Sequence, residues 1–277
     1  MTPLSRNGKA MDVQLATLFA STFAINLIGT LAYSARIAGV RTRRIALAFT
    51  LFNAFVLVSR TANTFQLPIL TKRIERNVLA GATAGALSDL RWLLLAASLA
   101  TIVGALLTPT AQRLFTHGVR ALARRRSLPR LLFAALSPQG LGVLRASVTV
   151  PSRTNVTVLG PRTGAPLGVL LLNGAATAAW TVGVFAATYA AYLAPDLRST
   201  AGSLSAVVNG VATILLFLLV DPWLAVLTDD VVEGRASDAQ FRRSVVGLLG
   251  SRLAGTLAAQ LLLVPAAGLI AAAARQL

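Results

Sequence analysis

The sequence lacks the residues on which most enzymes and metalloproteins depend. It contains no cysteine, and His117 is its single histidine among 277 residues. Disulfides, thiolate nucleophiles and cysteine-ligated metals are therefore excluded, and one histidine cannot form a multi-histidine metal site. We predict no cofactor and no metal ion, and acid–base catalysis by His117 is disfavoured.

Acidic residues are also scarce, and their placement argues against a carboxylate-based active site. Four of the nine lie in one polar link near the C-terminus: Asp229, Asp230, Glu233 and Asp238. We interpret this link as a surface segment whose acids cap a helix or pair with Arg242 and Arg243. A divalent-metal site at Asp229 and Asp230 is the less favoured alternative.

Apolar residues dominate what remains. They make up 55% of the chain, charged residues make up 13%, and the mean hydropathy is +0.70. Several runs approach the roughly 20 apolar residues that cross a bilayer as a helix. The pattern predicts an all-α, polytopic membrane helix bundle that forms one transmembrane domain over residues 1–277. Its six predicted spans cover about residues 13–33, 45–68, 90–108, 167–193, 203–220 and 245–274.

Three prolines coincide with predicted ends of these spans. Pro68, Pro109 and Pro222 fall at or just after the ends of the second, third and fifth spans. Proline removes a backbone donor and clashes with the preceding helical turn. We therefore expect each of these helices to stop there.

Basic residues are abundant and lie mainly between the spans. The chain has 26 Lys and Arg against nine acids, for a net charge of +17. This distribution is typical of contact with anionic lipid headgroups, so membrane lipids are the predicted partners and nucleic acid is not. The longest basic link covers residues 110–166. It includes an amphipathic stretch too short to span, predicted to lie on the membrane surface. A solvated loop is the open alternative.

Polar side chains interrupt the second span. Asn53, Arg60, Asn63 and Gln66 lie within it, and Asn53 and Arg60 share one helical face. An ionised side chain at bilayer depth costs about 2.5–3.5 kcal/mol on the insertion scale, so Arg60 is predicted to face a polar path. The alternative is that Arg60 extends to the headgroups from near the helix end.

Other spans carry similar features. Asn209 lies on the fifth span, Arg252 and Gln260 share a face of the sixth, and Arg36 lies in a predicted tight basic turn after the first. Arginine binds phosphate in a forked geometry, and amides suit sugars and peptides. The predicted ligand is an anionic amphiphile bound by Arg36, Asn53, Arg60, Asn63, Asn209, Arg252 and Gln260. Asp221, at one rim, is a candidate proton- or ion-coupling group.

The chain resembles Amj, the "alternate to MurJ" family of bacterial lipid II flippases. Three stretches carry the resemblance: LAYSARIAGVRTRRIALAFTLFNAFVLVSRTANTFQLPIL, VVNGVATILLFLLVDPWLAVLTDDVVEG and GSRLAGTLAAQLLLVPA. The similarity extends over the chain from about residue 13 and is weakest between residues 120 and 166. It concerns the chain as a whole and assigns no individual residue a role.

The resemblance implies movement of lipid II, the undecaprenyl-linked peptidoglycan precursor, from the inner to the outer leaflet of the bacterial cytoplasmic membrane. In this hypothesis Arg60 binds the pyrophosphate together with Arg36 or Arg252, and no catalysis is involved. Three alternatives stay open. They are transport of another polyprenyl-phosphate lipid, a non-transporting scaffold that binds cell-wall synthesis proteins, and a membrane enzyme.

Overall fold

The computed structural model describes residues 12–81, 85–149 and 164–277. These ranges are almost entirely helical and contain no strand, which confirms the predicted all-α fold. The α-helices are α1 Val13–Leu31, α2 Tyr33–Thr42, α3 Ile45–Leu79, α4 Ala86–Arg125, α5 Leu128–Ala135, α6 Pro138–Ser147, α7 Leu167–Leu193, α8 Arg198–Leu215, α9 Asp221–Val232 and α10 Asp238–Ala274. A 3-10 turn, Pro195–Leu197, precedes α8, and a π-helical turn, Leu216–Val220, joins α8 to α9.

Six helical segments of the described chain are long and apolar enough to cross a membrane, as predicted. We number them spans one to six in chain order: Val13–Thr42, Ile45–Leu79, Ala86–Arg125, Leu167–Leu193, Pro195–Val232 and Asp238–Ala274. Span three has 40 residues. At 1.5 Å per residue it is about 60 Å long, twice the roughly 30 Å of hydrocarbon, so it extends well beyond the bilayer.

The prolines do not end the spans, and this prediction was wrong. Pro68 and Pro109 lie inside α3 and α4, which continue to Leu79 and Arg125. Pro222 opens α9 without interrupting span five. A proline ring inside an α-helix clashes with the carbonyl four residues earlier, which for Pro222 is that of Leu218. Leu218 lies in the π-helical turn, whose wider winding relieves this clash and lets the helix continue. Protein packing satisfies the backbone groups that such prolines release.

Arg36 lies inside a helix rather than in the tight turn that was predicted. Helix α2 continues span one almost directly from α1, with the Ala32 amide donating to the Ile28 carbonyl at 3.0 Å. The turn comes later, at Arg43, which has a left-handed φ of 52°. The Arg36 side chain is consequently enclosed by the bundle and only 5% exposed.

Spans four and six form the tightest helix pair. Small residues permit close approach: a Cβ added to Gly255 would meet the Gly174 carbonyl oxygen and the backbone amide of Ala178. Alanines such as Ala176 and Ala187 are fully buried on the same span four. Stripes of small residues let membrane helices gain dispersion contacts that lipid cannot replace.

Asn173 connects this helix pair to span one. Its Nδ2 donates to the Leu248 carbonyl at 3.0 Å and to Ser251 Oγ at 2.7 Å, while its Oδ1 accepts from the Tyr33 hydroxyl at 3.2 Å. The residue is fully buried. A buried amide with its partners satisfied holds the three spans in one register.

An ion-pair cluster joins the starts of spans one and three to the end of span two. Arg73 contacts Asp12 and Asp89, each at 2.7 Å. Burial raises the pKa of Asp12, but hydrogen bonds from the Leu15 amide and Arg73 outweigh it, so the pKa lies below its ordinary value. Asp12 also caps α1 through that amide.

The basic link begins as a continuation of span three. After Arg125 the chain forms the short helices α5 and α6, whose apolar side chains Leu132, Phe133 and Leu141 are exposed. This arrangement fits the predicted surface-lying stretch, whose contact with lipid stays a prediction. Arg153 and Arg162 of the predicted link lie outside the described residues.

We predict opposite effects of the same substitution at two glycines of span six. Gly255→Ala places a methyl group against backbone atoms of span four and should lower stability by about 1–3 kcal/mol, the usual cost of overpacking. Gly250→Ala meets no atom within 4 Å, so the gain in helix propensity should make it neutral or slightly stabilising. Thermal unfolding in detergent measures both; equal shifts would contradict the packing described here.

Candidate functional site

An open cavity lies inside the bundle, among spans one, two, four, five and six. Its volume is about 90 Å³. The lining consists of Gly29, Tyr33, Phe52, Val56, Ser59, Arg60, Thr177, Trp180, Leu216, Phe217, Asp221 and Arg252. Three charged residues, Arg60, Arg252 and Asp221, thus line a largely apolar cavity. A further arginine, Arg36, forms an ion pair with Asp221.

Arg252 lies against span one in this cavity. Its Nε donates to Thr30 Oγ1 at 3.2 Å. The guanidinium packs over Gly29, where an added Cβ would come within 2.8 Å of Nη2. No carboxylate of the described residues lies within salt-bridge distance of Arg252. The hydroxyl does not neutralise the positive charge of Arg252, so an anion can pair with it.

Arg60 enters the cavity from span two between two aromatic rings. Its Cζ lies 5.5 Å from the centroid of Trp180 and 4.9 Å from that of Phe217. It too forms no salt bridge within the described chain. Ring faces attract a cation without neutralising it, so Arg60 keeps its full charge in an apolar setting.

Among the described residues, Arg36 forms the one ion pair of the cavity region. Its Nη2 contacts Asp221 Oδ1 at 2.6 Å, and the guanidinium lies over the rings of Phe52 and Phe49 at 4.6 and 5.5 Å. Its Nε is buried without a hydrogen-bond partner. The Asp221 side chain is 22% exposed, so the pair is reachable from the cavity.

The π-helical turn Leu216–Val220 positions the acidic member of this pair. A π turn inserts one residue into the α-helical repeat and so rotates the following residues about the helix axis. Phe217 and Asp221, at its two ends, both line the cavity. Such turns often occur at functional sites, which agrees with the position of this one.

The cavity carries a net positive charge. Arg36, Arg60 and Arg252 contribute +3 and Asp221 contributes −1, for a sum of +2. An anion that brings two negative charges would balance this sum, and charges attract more strongly in a protein interior than in water. The buried hydroxyl of Thr177, which lacks a hydrogen-bond partner, adds a polar contact in the same lining.

The remaining predicted residues lie outside the cavity lining. Asn53 is exposed and Asn63 half-buried on span two. Asn209 packs against Gly183 of span four, and its Oδ1 has no hydrogen-bond partner. Gln260 Nε2 donates to the Arg91 carbonyl at 3.1 Å. The structure therefore brings together Arg36, Arg60, Arg252 and Asp221 but not the four amides.

Four aromatic residues of the lining, Tyr33, Phe52, Trp180 and Phe217, were not predicted from the sequence. Tyr33, Trp180 and Phe217 lie in apolar stretches where a single aromatic residue is unremarkable, and their role depends on which helices pack together. Tyr33 alone could have been predicted from the sequence, because it lies three residues before Arg36 on the same helical face.

The acidic link does not form a metal site in the described structure. Arg235 pairs with Asp230 at 2.7 Å and also contacts Glu233. The predicted pairing with Arg242 or Arg243 was therefore wrong, because Arg235 lies within the same tight turn. No group of three or more potential ligands among His, Cys, Asp and Glu occurs in the described residues.

The described residues contain six helical segments able to cross a membrane, five of which line a cavity that carries a net positive charge, and these features define a multi-pass membrane protein. The family model described as "Alternate to MurJ" matches residues 21–274, and the chain belongs to this family, Amj. It is 36% identical over 264 residues to a Bacillus subtilis (strain 168) protein described as "Lipid II flippase Amj". The alignment covers 94% of this chain and 97% of that protein. No solved structure matches the chain.

The buried pair generates a stability prediction. Asp221→Leu leaves Arg36 buried and unpaired and should lower the free energy of unfolding by about 3 kcal/mol. The double change Arg36→Met with Asp221→Leu should restore part of that loss, because no uncompensated charge remains.

Asp230→Ala serves as the matched control, since its partner Arg235 is 61% exposed. An exposed pair contributes at most about 1 kcal/mol. Thermal unfolding of the four proteins in one detergent distinguishes the cases. If the double variant is less stable than Asp221→Leu, the loss of stability does not come from leaving the Arg36 charge unpaired, and the prediction fails.

Proposed function

We propose that the chain is a flippase for lipid II in the bacterial cytoplasmic membrane, moving the undecaprenyl-linked peptidoglycan precursor from the inner to the outer leaflet. The observation that carries the proposal is the net charge of +2 in a cavity between membrane-crossing helices of a chain in this family. The cavity offers fixed positive charge to a pyrophosphate without any group arranged to cleave it.

Arg60 and Arg252 are the proposed pyrophosphate ligands. Neither forms a salt bridge in the described chain, so binding an anion breaks no existing pair. Arg252 approaches from span six and Arg60 from span two, so the two can contact the same phosphate group from opposite sides. Forked, charge-assisted bonds from guanidinium to phosphate are the strong class of such contacts.

Arg36 is proposed as a third ligand that exchanges partners. In the described structure Asp221 pairs with Arg36 at 2.6 Å. When phosphate approaches, Arg36 turns to it and Asp221 is left to take up a proton or a cation, which would couple that ion to transport. Asp221→Asn should then remove any dependence of transport on pH, whereas an unchanged pH profile would exclude Asp221 from coupling.

The polar amides have a separate proposed role. Asn53 and Asn63 flank Arg60 on span two outside the cavity lining, where they can contact the sugar–peptide headgroup. The contributions of Asn209 and Gln260 stay predictions, because both lie in helix packing. Membrane lipids cover the apolar outer faces, and an association with cell-wall synthesis proteins likewise stays a prediction.

Transport rather than catalysis is favoured by the same geometry. His117 is exposed on the extension of span three and does not line the cavity. Phosphoryl hydrolysis or glycosyl transfer would require paired carboxylates or a metal-ligating cluster, and Asp221 is the single acid in the lining. Positioned arginines without a general base bind a phosphate and leave it intact.

Complementation tests the proposed function. The chain is expressed in a bacterium whose own lipid II flippase can be shut off, and outer-leaflet lipid II is followed with a membrane-impermeant probe. Restored growth together with outward lipid II supports the proposal. A well-expressed, membrane-inserted protein that restores neither would contradict it and favour another polyprenyl-phosphate cargo or a scaffold.

Arg60→Ala should reduce outward lipid II at least tenfold in that assay. A charge-assisted hydrogen bond is worth about 1.5–3 kcal/mol, and about 1.4 kcal/mol corresponds to a factor of ten. Arg60→Lys should recover only part of the loss, because lysine lacks the fork. Arg91→Ala is the matched control, an exposed arginine of span three away from the cavity. Equal effects of Arg60→Ala and Arg91→Ala at equal membrane levels would remove Arg60 from the site.

A further inference from the structure

Five spans line the cavity: spans one, two, four, five and six. Span two packs against spans one, three and four, and span five packs against spans four, six and the second half of span one. Spans two and five share no extended interface in the described residues. They are also the least enclosed: 22% and 17% of their apolar stretches are buried, against 33–56% for the other spans.

We infer that the opening between spans two and five is a lipid-facing portal that holds the isoprenoid tail of the substrate while the pyrophosphate occupies the cavity. We call this opening the side portal and define it by Val56 and Arg60 of span two and Leu216 and Phe217 of span five. The inference rests on the proposed function, and its test below separates the two.

The surfaces on either side of the side portal suit a hydrocarbon chain. Leu57 and Val58 are 65% and 55% exposed on span two, and Leu218 and Leu219 are 67% and 49% exposed on span five. Leu57 and Val58 directly follow Val56 of the lining, and Leu218 and Leu219 directly follow Phe217. A tail lying there stays in an apolar environment, and no hydrocarbon has to enter the charged cavity.

Phe217 closes the side portal in the described structure. Phe217 is 38% exposed, and its ring centroid lies 4.9 Å from Arg60 Cζ. The face of the Arg60 guanidinium contacts this ring, while its edge carries the donors for phosphate, so a phosphate deeper in the cavity would draw Arg60 away from the ring. The same arginine therefore binds the headgroup and releases the ring that separates the cavity from lipid.

Span two supplies a polar edge to this portal. Asn53, Arg60 and Asn63 project within about 80° of one another at 100° per residue. At 1.5 Å per residue the three cover about 15 Å along the helix. Asn53 is exposed and Asn63 half-buried, so both amides are open to a ligand at the portal. A headgroup can thus follow span two while its tail follows the apolar surface beside it.

Cross-linking tests the side portal directly, because the chain has no cysteine and introduced thiols are unique. Leu57→Cys and Leu218→Cys lie outside the cavity lining on opposite sides of the portal. A flexible, reducible bifunctional thiol reagent joins them in membranes of cells that depend on the protein. We expect the joined protein to lose at least tenfold of its lipid II transport and to recover it on reduction.

Three controls accompany this pair. The untreated double variant must transport lipid II; if it and the unchanged chain both fail, the proposed function fails rather than the portal. Each single-cysteine variant treated with the reagent measures the effect of modification alone. Gly174→Cys with Ser251→Cys cross-links spans four and six, where a Cβ on Gly174 lies 4.0 Å from that of Ser251, within disulfide range. That link should leave transport unchanged.

Full transport with the Leu57→Cys and Leu218→Cys residues completely joined would overturn the inference, and so would failure of the flexible reagent to join them. A second measurement uses a polyprenyl pyrophosphate with a photoreactive group on its tail. It should label residues 57–58 and 216–219 of the unchanged chain. Labelling confined to other spans would also overturn the inference.

Discussion

The burial of arginine within membrane-crossing helices is the constraint on which this structure depends. A guanidinium at bilayer depth costs several kcal/mol unless protein groups receive it. Arg36 meets the requirement with Asp221 at 2.6 Å, Arg60 with two aromatic rings, and Arg252 with Thr30 and the close surface of Gly29. Only the first of these arrangements neutralises charge. The other two leave the charge in place, and this difference gives the cavity its net positive charge.

The rest of the fold provides the conditions for that cavity. Spans four and six pack closely through Gly174 and Gly255, and Asn173 ties them to Tyr33 of span one. These contacts make one firm wall. Span five, with its π-helical turn, is held mainly by span four and brings Phe217 and Asp221 to the cavity. The structure thus combines a rigid side with a less enclosed side, as expected of a protein that admits and releases a large ligand.

The sequence was sufficient for the helical class, the six spans and the cationic character of the site. Hydropathy runs and isolated charges within them are properties of local sequence, so Arg60, Arg252 and Asp221 could be singled out. Helix ends were less predictable, because tertiary packing and a π turn let the chain continue through Pro68, Pro109 and Pro222.

The set of residues that forms the site could not be predicted from local sequence patterns, because it depends on contacts between residues far apart in the chain. Arg36 stood next to three loop arginines in sequence, yet its partner Asp221 lies 185 residues away. Trp180 and Phe217 had no distinguishing neighbours at all. The amides Asn209 and Gln260, by contrast, carried the expected chemistry for a headgroup but lie in helix packing.

A competition measurement on the purified protein tests the central claim, that the cavity selects its ligand through uncompensated arginine charge. Labelled lipid II is bound in detergent and displaced either by a polyprenyl pyrophosphate or by the uncharged polyprenol with the same tail. The account predicts displacement by the pyrophosphate alone, and loss of lipid II binding in the double variant Arg60→Gln with Arg252→Gln. Equal displacement by the uncharged polyprenol, or unchanged binding by the double variant, would contradict it.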